Sequence, residues 1–562
     1  MVYKRKIIFR LFDNESLNQV HKRVFFACSI FIIIYIFILF KLTDVMIISN
    51  TENIASVAIK EKVLIDLNNK RGSIYDRNGV LLAASVRSYS LSANSKIIKN
   101  KINLSKQLSD ILNIEQKKLL SKLNQNKKFF WIKRDISPIE HIKINNIGEI
   151  GLQVHKEQMR IYPQGNLTSH IVGYTDIDED GLAGIEKGLN KSLKKNNDIT
   201  LSLDLRLQNV VREELKITLD KFDALGGVGI ILDINNGQIL AASSMPDFNP
   251  NNLNLSPLEN RFNSATQGVF EMGSTFKPIT MAIGYDSDTI NDKSLFQVNK
   301  PLKVDKFVVN DHRPMKGPFN IREIIVNSSN IGTAQVAKKI GKKIHKKYLK
   351  EFGLLNRYSL EIPEIGTPIV PNPWLPINTM TIGYGYGLSI TPIHLCTIYG
   401  ALVNDGKIIN PTFIKKPSAD YTSKVITNET SAKIRQLLRA VILETEWTGP
   451  RAKVIGYEVG GKTGTAEMVE NNSYLKKANL SSFIGVFPMS KPEYAILIMI
   501  KNPKGIDETY NNTTGAWVAA PAVSNVIKRM VHILGIPPFE IEEFYEAQAK
   551  LKKNKEFSSA TF

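Results

Sequence analysis

The chain has 562 residues, which at roughly 100 to 200 residues per domain predicts about two to four folded units and excludes a peptide or a lone binding module. A composition of 43% hydrophobic and 22% charged residues provides for large cores and excludes a mainly disordered chain. Seventy-three Lys and Arg against fifty-three Asp and Glu leave +20, which alone suggests nucleic acid or an anionic surface as partner. The basic pairs Lys117-Lys118, Lys338-Lys339 and Lys342-Lys343 are scattered and lack interleaved aromatics or any zinc-finger or RNA-recognition spacing. They read as solvated helix faces, and no nucleic-acid partner is expected.

The first element, Val24 to Phe40 (VFFACSIFIIIYIFILF), carries no charge. At about 1.5 Å of rise per residue it nearly crosses a hydrocarbon core of about 30 Å. Lys4, Arg5, Lys6, Arg10, Lys22 and Arg23 precede it against only Asp13 and Glu15, so the positive-inside rule keeps an arm 1–23 in the cytoplasm and exports the rest. The run exceeds the usual signal-peptide core of about 7 to 15 residues, and KLTDVMIISN offers no A-x-A-like site, so an uncleaved anchor over 24–43 is expected. Tyr494–Ile500 (YAILIMI) has the length of a buried strand, not of a second span. Cys28 and Cys396 cannot form a disulfide framework, and a bridge between them is not expected.

From 44 to 200, strand-like runs (VLIDL, GVLLAAS, SYSLSA) alternate with lysine-rich helical stretches at 104–127, predicting a small α+β region. Leu201–Phe222 reads as a helix with Leu207, Val210, Val211 and Leu215 on one face, opening a second domain, 201–537. VGIILDI and GQILAASS, joined through Asn235-Asn236-Gly237, predict a hairpin. Strand signals return as YEVGGKTGTAE, SSFIGVFP and EYAILIMIK. Five strands, two at the start and three at the end with helices and loops between, predict an α/β sandwich bearing a helical lobe. PAVSNVIKRMVHIL is an amphipathic helix suited to cover that sheet, and the tail 538–562 is charged and expected to be partly disordered.

Three short motifs in this second domain carry chemistry. In Ser274-Thr275-Phe276-Lys277 the spacing puts a hydroxyl and an amine on one helical face, and a buried amine of lowered pKa can serve a serine as base. Alone, S-x-x-K is common by chance. Ser328-Ser329-Asn330 offers a hydroxyl and an amide for proton relay and substrate binding, although alone it reads as a turn or cap. Lys462-Thr463-Gly464-Thr465, after Gly460-Gly461, stands on a predicted strand whose glycines suit a close approach, such as a peptide adding along the edge.

Together, in this order, the three motifs resemble the signature set of penicillin-recognising serine enzymes, and residues 201–535 resemble a penicillin-binding transpeptidase domain. Arg71-Gly72-Ser73-Ile74-Tyr75-Asp76-Arg77-Asn78-Gly79 and RIYPQGNLTSHIVGYTDIDEDGLAGIEKGLN, with Arg160, His170 and Glu186, resemble the amino-terminal module of class B penicillin-binding proteins. GYGYGLSITPIHL extends the match. The residues of that module read as structural, not catalytic. The resemblance implies that Ser274 attacks the carbonyl between the last two D-alanines of a peptidoglycan stem peptide, with Lys277 as base. Ser328 and Asn330 border the site, Lys462 supplies positive field, and Thr463, Gly464 and Thr465 bind substrate, the two threonine hydroxyls taking the terminal carboxylate. The N–H groups of Ser274 and Thr465 form the oxyanion hole. It implies no metal and no cofactor, β-lactams as ligands, and a catalytic domain in the periplasm of a cell with one bacterial inner-membrane helix. Met272 departs from the family's common proline before Gly-Ser.

No glycosyltransferase signature of the E-D-x-x-F type occurs, which favours class B over the bifunctional class A, and the IYPQG…GLAGIEKGLN wording resembles the cell-division, septal type more than the elongation type. A septal role implies a glycan polymerase and other division proteins as partners. Rival readings are a membrane-anchored D,D-carboxypeptidase, a serine β-lactamase and a non-catalytic β-lactam-binding scaffold. Glu351–Asn356 only superficially resembles the E-x-x-L-N loop of class A β-lactamases, having one residue too many, and reads as a helix end with a glycine turn.

Overall fold

The computed structural model describes residues 14–43, 71–304, 307–419, 421–470 and 473–538. The arm before residue 14, the VLIDL run (63–67) and the tail beyond 538 lie outside the described residues. The chain divides into two units, one ending at Asn68 and the other starting at Asn69. In the first, α1 (Asn14–Thr43) runs unbroken through the expected anchor and exposes Phe25, Phe26, Phe31, Ile33, Tyr35 and Phe37. Among the described residues no helix is long and apolar enough to cross a membrane, which leaves the anchor a proposal.

The second unit opens with the pedestal. Its strand β1 (Leu81–Ala93) is one element where two short runs are expected, because its pairing with the strand Leu152–Ile161 continues unbroken through Val86 and the exposed Arg87. Helices α2 (Lys101–Leu112) and α3 (Gln116–Leu123) stand where the lysine-rich helical stretches are expected and part at Asn113, which takes a left-handed conformation. Strand β2 (Phe130–Ile136), helix α4 (Pro138–Ile147), started by a Ser137–Glu140 capping box, and strand β3 (Leu152–Ile161) complete the layer. β1 lies between β2 and β3, antiparallel to both, with Ala84 facing Ile161 and Ala93 facing Leu152. The helices close Leu104, Leu108, Leu119, Leu123 and Ile144 over that sheet with Leu91 and Ile132.

At the pedestal's base, Glu186 is buried between two arginines. Arg71 Nε donates to its Oε2 at 2.8 Å and Arg160 Nε to its Oε1 at 2.7 Å, while Arg71 also reaches Asn190 Oδ1 and the Glu186 carbonyl. One carboxylate accepting from two guanidinium groups is a paired buried charge, the structural role expected for these residues, although Arg160 Nη2 is left without a partner.

Helix α5 (Leu205–Lys221) begins at Leu205, not Leu201, because Asp204 caps it, accepting the Arg206 N–H at 3.0 Å. Leu207, Val210, Val211 and Leu215 face the core as expected. The hairpin follows as β4 (Gly226–Asp233) and β5 (Ile239–Met245), its turn held by Gly237 N–H to Asp233 O at 2.9 Å. The lobe comprises α6 (Lys277–Asp286), α7 (Ile321–Val326), α8 (Asn330–Glu351), α9 (Pro392–Val403) and α10 (Asn428–Glu444). α8 ends at Glu351 ahead of a turn through Gly353, the helix end expected there. The chain then returns as β6 (Gly460–Glu470), β7 (Ser473–Phe487) and β8 (Tyr494–Lys501) and closes with α11 (Ala519–Leu534).

The five strands form one antiparallel sheet in the order β6-β7-β8-β4-β5. β8 shows why YAILIMI is apolar throughout: Ile496, Ile498 and Ile500 pack with α5 and α11, while Ala495, Leu497 and Met499 face the lobe. Cys396 is buried in α9, and both cysteines are free.

Candidate active site

Ser274 lies in a short 3-10 turn, Gly273–Phe276, that runs directly into α6, so the nucleophile candidate stands where the leading N–H groups of a helix have no partner within it. Gly273 has φ +53, and a Cβ there would come within 2.8 Å of the Thr465 carbonyl, so the turn before Ser274 is pressed against β6. Gly464 is confined from the other side: its Cβ would meet Ser482 Oγ at 2.4 Å and the Met272 carbonyl at 2.8 Å. At Gly460 and Gly461 the neighbours are Met489 and Ile484. What approaches these strand glycines closely is thus the protein itself, not the incoming peptide expected from the sequence. β6 is still an edge strand, pairing only with β7 among the described residues.

Lys277 is fully buried at the first position of α6, one turn behind Ser274. Its amine donates to Ser328 Oγ at 3.1 Å and, more closely, to the Ser328 carbonyl. Lys462, on β6 and also buried, donates to the same Ser328 hydroxyl at 3.0 Å. Ser328 therefore bridges two lysines from opposite walls. It holds this place with φ +57, a left-handed conformation that costs a non-glycine residue about 1 to 2 kcal/mol. Burial drives the Lys277 amine well below the ordinary lysine range, the Lys462 charge pushes the same way, and Asp311 opposes both. Burial lowers Lys462 to about 7. The arrangement supplies an amine whose charged form is disfavoured, a hydroxyl relay and a second amine.

Ser274, Ser328, Lys462, Thr463 and Thr465 share one cavity of about 420 Å³. Thr465 Oγ1 accepts from Gly515 N–H at 3.2 Å, tying this strand to the segment before α11. Asn330 is placed differently: its amide donates to the Asn310 carbonyl at 3.1 Å, and it does not line that cavity.

Sequence reasoning missed Asp311. Its carboxylate accepts from Ser329 Oγ at 2.8 Å and from the N–H groups of Asn330 at 2.5 Å and Ile331 at 3.1 Å. It caps α8 and fixes the strained Ser328-Ser329-Asn330 corner. His312 and Arg313 of the same loop, and Trp447 and Trp517 from later segments, line the cavity. The one local signal was the run Asp311-His312-Arg313, three chemistry-bearing side chains in succession.

Residues 227–528 match the family model described as the penicillin binding protein transpeptidase domain, and residues 66–200 that of the penicillin-binding protein dimerisation domain. The chain is 32% identical to the probable peptidoglycan D,D-transpeptidase FtsI of Caulobacter vibrioides, over 83% of this chain and 82% of the relative. It is 29% identical to the stage V sporulation protein D of Bacillus subtilis, over 94% and 88%. The Escherichia coli peptidoglycan D,D-transpeptidase FtsI is 25% identical over 94% of both chains. A peptidoglycan synthetase structure from Bifidobacterium adolescentis superimposes with a TM-score of 0.67 at 19% identity, over 84% of this chain and 96% of that one, a likeness of fold.

Proposed function

The chain belongs to the penicillin-binding protein transpeptidase family, with the dimerisation module of class B members, and on that premise we propose that Ser274 is the acylated serine of a peptidoglycan D,D-transpeptidase serving the septal wall. The single observation that carries the chemistry is Ser328 Oγ bridging Lys277 and Lys462 beside Ser274. Neutral Lys277 takes the Ser274 proton as Oγ attacks the carbonyl between the two terminal D-alanines of a donor stem. The N–H groups of Ser274 and Thr465 receive the developing oxyanion, each such donor worth about 10² to 10³ in rate. The proton passes through Ser328 to the departing D-alanine nitrogen, while Thr463 and Thr465 hold its carboxylate against the positive field of Lys462. Asn330, tied to the Asn310 carbonyl outside the cavity, acts on the site by holding the corner that carries Ser328. Penicillins acylate the same serine.

The septal assignment rests on the pedestal wording and on relatives that bear the name FtsI. It brings with it a glycan polymerase and division proteins as partners. The domain plan is an arm 1–23, an anchor 24–43, a pedestal 44–200, a transpeptidase domain 201–537 and a tail 538–562, with the catalytic part periplasmic. The anchor is supported by the exposure of Phe25, Phe26, Phe31, Ile33 and Phe37 along α1, apolar surface that a lipid core would cover.

Membranes carrying the protein, incubated with a fluorescent penicillin, are expected to give a long-lived covalent band that is lost in Ser274→Ala. No band from the folded wild type sinks the catalytic reading, and a quickly lost band favours hydrolysis. Depletion is expected to give filaments, and round cells overturn the septal role.

A further inference from the structure

Besides Lys277 and Lys462, the transpeptidase domain turns another lysine inward. Lys501 closes β8, where Ala495, Leu497 and Met499 face the lobe, and its side chain continues that alternation. The ammonium donates to Ser264 Oγ at 2.6 Å and stands 5.1 Å from the centroid of the Phe270 ring. Its neighbours across the sheet are Leu480 of β7 and Gly226 of β4, neither of them charged. Glu271, next to Phe270, accepts the Gly387 N–H at 2.6 Å. Burial alone acts on the titration of Lys501 and lowers its amine to about 8. A methionine would fill the same space without desolvating an amine, so packing does not account for the ammonium.

Both groups that the ammonium touches belong to the chain leading into the nucleophile. Ser264 is fixed from behind, its N–H donating to Ser244 Oγ of β5 at 2.9 Å. A tight turn follows, with Gln267 N–H on the Asn263 carbonyl at 2.8 Å. Gly268 closes it: a Cβ there would meet the Phe270 ring at 2.7 Å and the Ser264 carbonyl at 2.9 Å, so the two partners of Lys501 are pressed together. Phe270 and Glu271 then pair with Ile390 and Ser389 over only two residues, and Gly273 N–H donates to the Gly385 carbonyl at 3.1 Å. Ser274 comes next, four residues beyond Phe270, so a shift of that ring is passed to the nucleophile along a short stretch of backbone.

We propose that Lys501 is a positioning residue for Ser274: its ammonium, bound by the Ser264 hydroxyl and the Phe270 ring, ties the lead-in of the nucleophile to β8. The inference rests on the acyl-enzyme reading above. A ring face attracts the cation and not the neutral amine, and an ionised donor makes the stronger hydrogen bond, so the tie loosens when the amine gives up its proton. Lys501 acts on neither amine of the site directly, since burial, Lys462 and Asp311 account for Lys277, and burial accounts for Lys462. Its effect on the reaction is geometric.

The test acylates the full chain in detergent with a fluorescent penicillin at pH 7 and at pH 9.5. The rate constant is taken from the time course of the covalent band, which the amount of folded protein does not change. Lys501→Met keeps the stem and removes the charge, while Ser264→Ala keeps the whole lysine and removes one of its two partners, which preserves the test if the methionine variant does not fold. At pH 7 the wild type is expected to acylate about fivefold faster than Lys501→Met and about twofold faster than Ser264→Ala, the scale of a cation–π contact and a charge-assisted hydrogen bond. At pH 9.5, with Lys501 neutral in the wild type, both ratios fall toward one. Titration of Lys277 and Lys462 is common to the three proteins and cancels in the ratios. A ratio near one at pH 7, or one equal at the two pH values as lost packing alone gives, overturns the positioning role and leaves the transpeptidase reading intact. Absence of a covalent band from the wild type at both pH values overturns the transpeptidase reading and the positioning role with it.

Discussion

The pedestal and the transpeptidase site each bury a cluster of charged side chains, and they resolve the electrostatics in opposite ways. At the pedestal's base, Arg71 and Arg160 close on Glu186, so every charge meets its opposite within 2.8 Å. In the site, Lys277 and Lys462 meet over a neutral hydroxyl, and Asp311, the nearby carboxylate, is engaged in capping α8. The first arrangement holds a fold; the second holds two amines in a state they would not choose in water. A buried like-charged pair keeps an amine neutral and basic at the pH where the chemistry runs, and the cost falls on stability.

The largest expected effect comes from breaking the second cluster. Lys277→Met should lower the acylation rate constant about 10³-fold or more, the scale of losing a general base. It should also raise the melting temperature. An amine whose folded-state pKa lies below the unfolded value binds more protons unfolded, so its burial opposes folding at all pH values below the unfolded pKa near 10.5. A melting temperature that drops with acylation would remove the contrast between the clusters. The converse experiment is Glu186→Gln, which strands two buried guanidinium groups. It should cost about 3 to 5 kcal/mol in denaturant unfolding while the folded fraction acylates at the wild-type rate. Smaller still, Asp311→Asn loosens the corner that carries Ser328. Loss of its charged cap should cost about 1 to 2 kcal/mol and slow acylation about tenfold, with KM for a D-alanyl-D-alanine donor moving less than kcat.

Much of this was legible in the chain because the signals were local. The turn Asn235-Asn236-Gly237 specified the hairpin, and the uniform hydrophobicity of YAILIMI specified a central strand covered on both faces. The three motifs were recognisable by spacing within a few residues, and the structure brings Ser274, Lys277, Ser328 and Lys462 together although 134 residues separate the last two. What was not legible depends on distant segments meeting. Asp311 reaches Ser329 from 18 residues upstream, with the whole of α7 between them, so no local spacing links the two. Trp447 and Trp517 pair only because the segments after α10 and before α11 converge. The glycines of β6 looked like room for a peptide because the sequence does not show the neighbouring chain, and it is Met272 and Ser482 that fill the space at Gly464. The length of β1 was missed for a simpler reason, since Arg87 and Ser88 interrupt the hydrophobic run without interrupting the backbone pairing to β3.

The central claim is that Lys277 is the base and that the second lysine helps to keep it neutral. The pH dependence of penicillin acylation, measured between pH 5 and 9 on wild type and on Lys462→Gln, tests it most directly. Lys462, itself lowered to about 7, is charged on the acid side and there depresses Lys277. Acylation should fall as pH drops through the titration of the pair, and that acid limb should move to higher pH when Lys462 is replaced. An acid limb that stays in place or moves to lower pH would contradict the account.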